Sequence, residues 1–246
     1  MTPPTKLPLT DVVSVAAGER HGLALDKNGI VWAWGQNRHG ELGIPPTTAL
    51  TPSPIQVPEV LGPTLIAAGG FHSFAMDLIG GLTAWGSGWH GQLGRESLLD
   101  SYEPVPVNAG SDVTTLSVGR YHTLVVKAGG QVFAFGDNSE CQMGTWPDVD
   151  GREPTAVPGV GPATAVQAGD YHGLALTYGG QVTAWGNDSS GQLDRADSAL
   201  AHADCVPQVL PLSGVTVMGA GAAQSAIATG APLALPPRDA AVNGGD

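Results

Sequence analysis

Residues His21 to Gly43 read HGLALDKNGIVWAWGQNRHGELG. The stretch returns as HSFAMDLIGGLTAWGSGWHGQLG from His72, HTLVVKAGGQVFAFGDNSECQMG from His122 and HGLALTYGGQVTAWGNDSSGQLD from His172. Self-similarity at a fixed period outranks any single motif inside it. The glycine three residues before each histidine sets the phase. Gly18, Gly69, Gly119 and Gly169 are separated by 51, 50 and 50 residues, and a weaker copy follows 52 later at Gly221, where Gln224 replaces the histidine. Pro3, Pro54, Pro104 and Pro154 each lie 15 residues before their glycine, so the units run about 3–53, 54–103, 104–153 and 154–205, with a partial one over 206–235. Residues 236–246 read as a disordered tail.

Each unit divides into four short apolar runs. The first carries proline (SPIQVP, EPVPVN, EPTAVP, CVPQVLP) and reads as an outer strand opening its unit, because proline cannot donate to a ladder. The second is VVSVAAG and its copies. The third is LAL, FAM, LVV and LAL, three consecutive apolar residues that call for burial on both faces. The fourth is IVWAWG, GLTAWG, QVFAFG and QVTAWG. Asn28-Gly29, Gly129-Gly130 and Gly179-Gly180 mark tight hairpin turns before it. Leu42, Leu93, Met143 and Leu193 recur in the loop after it as plugs under neighbouring units. No stretch has a helical period. An all-β chain of four-stranded sheets, apolar on both faces, buries those faces by stacking the sheets around an axis.

The 36 glycines and 20 prolines of the 246 residues are then turn punctuation. A formal charge of −12 without a basic run argues against nucleic acid as a partner and favours a neutral or basic one. There is no stretch of about 20 apolar residues, so no membrane helix is expected, and MTPPTKLPLTD lacks a signal-peptide core, so a cytoplasmic location is expected. Cys141 and Cys205 occupy non-equivalent repeat positions, which predicts free thiols in a reducing compartment.

Residues 18–43, GERHGLALDKNGIVWAWGQNRHGELG, resemble the repeat of the regulator of chromosome condensation (RCC1) family, and the resemblance covers about residues 3–229 in four phased copies. It implies a β-propeller whose members mostly serve as protein-binding platforms. One member is a guanine-nucleotide exchange factor for a small nuclear GTPase, and a bacterial group with related repeats inhibits β-lactamases by covering the active site. The family commonly closes with seven blades. Four blades plus part of a fifth imply an open arc or a small ring, and an arc invites self-association to complete it. No insertion within a unit offers the wedge by which the exchange factor engages its GTPase.

Candidate sites follow from variation inside the constant frame. Between glycine and histidine lie Glu19-Arg20, Gly70-Phe71, Arg120-Tyr121 and Asp170-Tyr171, and the later loop holds Arg38-His39, Trp89-His90, Ser139-Glu140 and Ser189-Ser190. Arg20, Phe71, Arg120, Tyr121, Tyr171, Arg38, Trp89 and His90 are residue types that dominate interface hot spots, and they predict a protein-binding rim. The four phased histidines are spread one per unit, so each is expected to fix its own blade's turn rather than share a metal. GSGWHG at 86–91 matches a dinucleotide fingerprint, but no helix follows it. Asp148, Asp150 and Glu153 form an acidic loop without calcium-site spacing. Asn187-Asp188-Ser189 fits a glycosylation sequon and also ordinary turn chemistry. No cofactor or metal is expected, and no catalytic constellation appears, so the chain reads as a non-enzymatic scaffold.

Overall fold

The computed structural model describes residues 6–46, 50–146, 150–193 and 205–229. These form eighteen strands and no α-helix. The first blade contains β1 (Val12–Ala17), β2 (His21–Asp26), β3 (Val31–Gln36) and β4 (Leu50–Gln56). The second contains β5 (Pro63–Ala68), β6 (His72–Asp77), β7 (Leu82–Gly86) and β8 (Ser101–Pro106). The third contains β9 (Val113–Val118), β10 (His122–Lys127), β11 (Val132–Gly136) and β12 (Gly151–Ala156). The fourth contains β13 (Ala163–Ala168), β14 (His172–Thr177), β15 (Val182–Gly186) and the short β16 (Gln208–Val209). The fifth is a pair, β17 (Val215–Ala220) and β18 (Ser225–Thr229). Strands pair antiparallel with their neighbours in sequence.

The proline-bearing strand needs correcting. It closes the preceding sheet instead of opening its own unit: β4 pairs with β3, with Trp32 opposite Gln56, and β8 pairs with β7, with Thr83 opposite Pro106. The edge placement holds, because proline leaves one side of the strand without a donor. The end of the partial unit at 230–235 and the tail at 236–246 lie outside the described residues, as does Asp148.

The inner strands β1, β5, β9, β13 and β17 follow one another around the axis, and no comparable contact brings β17 back to β1 among the described residues. The assembly is an open arc. Glycine permits the close approach at its centre. A Cβ on Gly18 would overlap the Gly69 carbonyl, and the same overlap would arise between Gly69 and Gly119 and between Gly119 and Gly169.

The core lies between blades. Leu23, Leu25, Val31, Ala33 and Leu42 of the first blade pack on Ile66, Ala75 and Trp85 of the second. Phe74 and Leu93 meet Val125 and Phe135. Leu124 and Met143 meet Ala175 and Trp185. Leu193 lies with Val215 and Met218. The expected plugs Leu42, Leu93 and Leu193 are wholly buried and Met143 nearly so. Each sits under the next blade, where a Leu-sized side chain removed from water contributes about 1.5–3 kcal/mol.

Polar latches fix the same junctions. The Trp85 indole donates to the Glu41 carbonyl at 2.9 Å, and Trp185 donates to the Gln142 carbonyl at 2.8 Å. The phased histidines also cross junctions. His21 Nε2 meets Ser73 Oγ at 2.9 Å, His72 meets Thr123 Oγ1 at 3.2 Å and His172 meets Ser225 Oγ at 3.0 Å. The expectation that each histidine fixes its own turn is therefore revised. The turn closes through the backbone, from Gly18 N–H to the His21 carbonyl and likewise in every blade, which frees the imidazole to reach the next blade.

The cysteines are joined. Cys141 and Cys205 form a disulfide with Cα atoms 4.7 Å apart, so the free thiols expected from their phase are not present, and the case for a reducing compartment loses its cysteine support. The phase argument failed for a geometric reason. Cys141 holds the place of Gly40 and Gly91, with φ +62° against +88° and +79°. At those glycines an added Cβ would touch the backbone of Tyr102 and Arg152, on the outer strand of the next blade. A side chain in this slot points at the neighbouring blade, and there Cys205 receives it.

Candidate partner-binding rim

His21 lies opposite Gly35, His72 opposite Gly86, His122 opposite Gly136 and His172 opposite Gly186. The turn before each histidine and the loop after each following strand therefore leave the sheet at the same end. This register places both variable loops on one rim.

There the rings form a connected run across three blades. Trp89 meets His39 edge-on, with centroids 5.3 Å apart. His39 meets Phe71 at 5.9 Å. Phe71 stacks on Tyr121 at 5.6 Å with 17° between planes, and Tyr121 meets His90 at 5.2 Å. The Arg120 guanidinium lies 5.4 Å from the Tyr121 centroid, a distance at which a cation is attracted to the ring face. Arg120 also donates to the Tyr171 hydroxyl at 3.2 Å and pairs with Glu19 at 3.2 Å. Arg20 is exposed and lies 3.9 Å from Glu19. Arg38 is exposed and joins none of these contacts. Seven of the eight residues expected on the rim thus share one contact network.

His39 and Glu19 belong to that network but were absent from the sequence-based set. The signal for His39 lay in the repeat. His39 Nδ1 is 3.0 Å from Asp100 Oδ2, and His90 Nδ1 is 3.0 Å from Asp150 Oδ2. The two pairs stand in phase in consecutive units. Each carboxylate also accepts a backbone N–H, from Gly88 and Asn138 respectively, so it holds its imidazole in a fixed orientation. Trp89, at the end of the run, is 62% exposed. Its indole is held by one edge contact with His39 and is otherwise open to water.

Beside the run, the arc encloses a central channel of about 400 Å³ lined mostly by glycine and alanine, with Glu19, Arg120 and Asp170 at its mouth. Burial raises the Asp170 carboxyl above its usual range, against the pull of Arg120. His90, Asp137 and Asp150 offer atoms within 4.8 Å of one another. Asp137 accepts hydrogen bonds from Ser139 and Gln142.

A family model described as the RCC1-like domain matches residues 1–227. The chain belongs to the RCC1-like domain family. The human probable E3 ubiquitin-protein ligase HERC6 is 40% identical over 115 residues, which make 44% of this chain and 11% of HERC6. The Arabidopsis thaliana ultraviolet-B receptor UVR8 is 35% identical over 99 residues, 40% of this chain and 22% of UVR8. Among solved structures, Prp20p from Saccharomyces cerevisiae superposes with a TM-score of 0.77 at 22% identity, over 89% of this chain and 56% of Prp20p. Yeast RCC1 (Prp20) bound to Kap60 matches with a TM-score of 0.79, again at 22% identity, over 91% of this chain and 55% of that one. This RCC1-like chain thus spans little more than half of those propellers and under a quarter of the two curated relatives. The superposition shows the shared fold.

Proposed function

We propose that this RCC1-like arc is a non-enzymatic scaffold that binds another protein through the rim formed by Trp89, His39, Phe71, Tyr121, His90, Arg120 and Tyr171. The observation that carries the reading is the run of rings from Trp89 to His90, continued by Arg120 to Tyr171 and Glu19. Clustered aromatic and arginine side chains at the centre of a surface are the usual anchors of an interface. The net charge of −12 favours a basic partner. Prp20p, which shares the fold, is reported with binding to Gsp1p and histones, so histones are a first candidate of the right charge.

The test is histone capture by the full chain and by a variant with Phe71→Ala, Tyr121→Ala and Tyr171→Ala. The reading expects capture to fall at least about tenfold, equivalent to about 1.4 kcal/mol, with the far-ultraviolet spectrum unchanged. Equal capture by both proteins would defeat it. Accelerated nucleotide release from a Gsp1p-type GTPase would favour the exchange-factor reading instead.

A further inference from the structure

Two consecutive junctions carry the same histidine–aspartate clasp, and their surroundings differ in one residue. His39 Nδ1 lies 3.0 Å from Asp100 Oδ2 at the first, and His90 Nδ1 lies 3.0 Å from Asp150 Oδ2 at the second. Each histidine comes from the loop after the third strand of its blade. Each aspartate directly precedes the outer strand of the next blade, β8 or β12. The place after the closing glycine of β7 is held by Ser87, and the same place after β11 is held by Asp137. Ser87 Oγ accepts the Gln92 side-chain N–H at 3.3 Å, and Asp137 Oδ2 accepts that of Gln142 at 2.9 Å. A hydroxyl therefore suffices to anchor this loop. The carboxylate at the second junction is more than the loop requires.

That carboxylate is buried without a permanent cation. Asp137 is 5% exposed, and its donors are neutral: the Ser139 N–H and hydroxyl and the Gln142 amide. Among the described residues no lysine or arginine pairs with Asp137, Asp150 or His90. Buried charges are ordinarily paired or coordinate metals. One ligand atom from each of His90, Asp137 and Asp150 lies within 4.8 Å of the others. Ligands about 2.1 Å from one ion stand about 3.0 Å apart when adjacent and about 4.2 Å apart when opposite. The 3.0 Å between His90 Nδ1 and Asp150 Oδ2 matches an adjacent pair. Other bonds already aim the carboxylates, since Asp150 Oδ1 accepts the Asn138 N–H and Asp137 Oδ1 accepts the Ser139 N–H. Such outer contacts orient metal ligands. One imidazole nitrogen with two carboxylate oxygens suits zinc or manganese, whereas calcium and magnesium prefer oxygen alone. His90 is not one of the four phased histidines, so their spread of one per unit does not bear on it.

We propose that His90, Asp137 and Asp150 bind one divalent transition-metal ion of the zinc class, which ties the loop of the second blade to the third. The imidazole coordinates through Nδ1 and carries its proton on Nε2, and water completes the sphere. The site meets the rim at His90 but stands independently of the reading given to the rim, because its test follows metal and not capture. Zinc chloride titrated by calorimetry into the full chain, first stripped with a chelator, should show one ion bound by these residues, and zinc should raise the melting temperature. His90→Gln, Asp137→Asn and Asp150→Asn should each weaken that binding by at least about tenfold and cancel the rise. Asp137→Asn keeps an acceptor for Ser139, and Asp150→Asn alters a half-buried side chain, so a far-ultraviolet spectrum separates loss of a ligand from loss of the fold. His39→Gln should leave the affinity unchanged, since the first junction has Ser87 in place of the third ligand. Ser87→Asp should supply that ligand and add a second ion. Absence of zinc binding overturns the proposal. So does binding that survives the three ligand substitutions, which would be an adventitious ion only. A folded Ser87→Asp chain that gains no second ion also overturns it.

Discussion

His21 Nε2 lies 2.9 Å from Ser73 Oγ, and that hydroxyl donates in turn to the Glu41 carbonyl at 2.9 Å. The three groups close a buried circuit between the first and second blades, because Glu41 sits in the loop that carries the Leu42 plug. The circuit recurs as His72, Thr123 and the Gln92 carbonyl. It lapses at the third junction. Gly173 stands where Ser73 and Thr123 stand, so among the described residues no side-chain hydroxyl reaches His122, whose imidazole faces the His172 backbone instead. A Cβ at Gly173 would press on the Trp185 ring, so at this junction the indole takes the room that a hydroxyl would need.

Ser73→Ala should therefore destabilise the chain by about 1–3 kcal/mol, since it strands a buried imidazole nitrogen and removes a donor to the loop. Urea unfolding would measure it. A loss under about 0.5 kcal/mol would mean that the circuit contributes nothing beyond packing.

Acid should weaken the arc through its buried histidines. Burial lowers His21, His122 and His172 from 6.5 to about 4, and lowers His72 to about 3. A group whose folded value lies below its unfolded value contributes stability that is whole above pH 6.5 and drains away as pH falls towards about 4. Each imidazole accounts for something on the order of 3 kcal/mol over that range. Thermal melting should be flat from pH 7 to 8 and fall steeply below 6.5. A flat profile down to pH 5 would contradict neutral, buried histidines.

Leu93→Ala and Trp89→Ala should separate core from rim, although the two residues lie in one loop. Leu93 is wholly buried against the third blade, and truncating it should cost about 2–5 kcal/mol. Trp89 is largely exposed, and its loss should change stability by less than about 1 kcal/mol while reducing partner capture. Similar losses of stability would place Trp89 in the packing.

Alkylation under denaturing conditions should leave both cysteines unlabelled until a reductant is added, and then label two. Cys141→Ser should lower stability by about 2–4 kcal/mol, through the greater freedom of an unfolded chain no longer crosslinked across 64 residues. Labelling without a reductant would show that the bond does not form.

Much of the arc could be read from phase. The runs LAL, FAM, LVV and LAL were read as buried on both faces, and β2 is buried at all six positions. The loop leucines were read as plugs under neighbouring units and are so. Pairing was harder. The proline-bearing strand could join the unit before it or the unit after it, and nothing in its own residues distinguishes them, because a period marks recurrence without marking where a sheet ends. Hot-spot residue types at Phe71, Tyr121 and Tyr171 were visible as variation in a constant frame. His39 and Glu19 were missed because their roles depend on side chains about one repeat or more away.

The amino-acid sequence alone determined the module, its strands and turns, its number of copies and the end of the sheet that varies. These depend on local alternation, glycine placement and periodicity, all properties of neighbouring residues. Only the tertiary structure decided which blade each side chain serves. His21 reaches Ser73, Cys141 reaches Cys205 and Trp34 is left half-buried because blades meet through atoms about fifty residues apart, and the distance between such atoms is set by how the sheets stack.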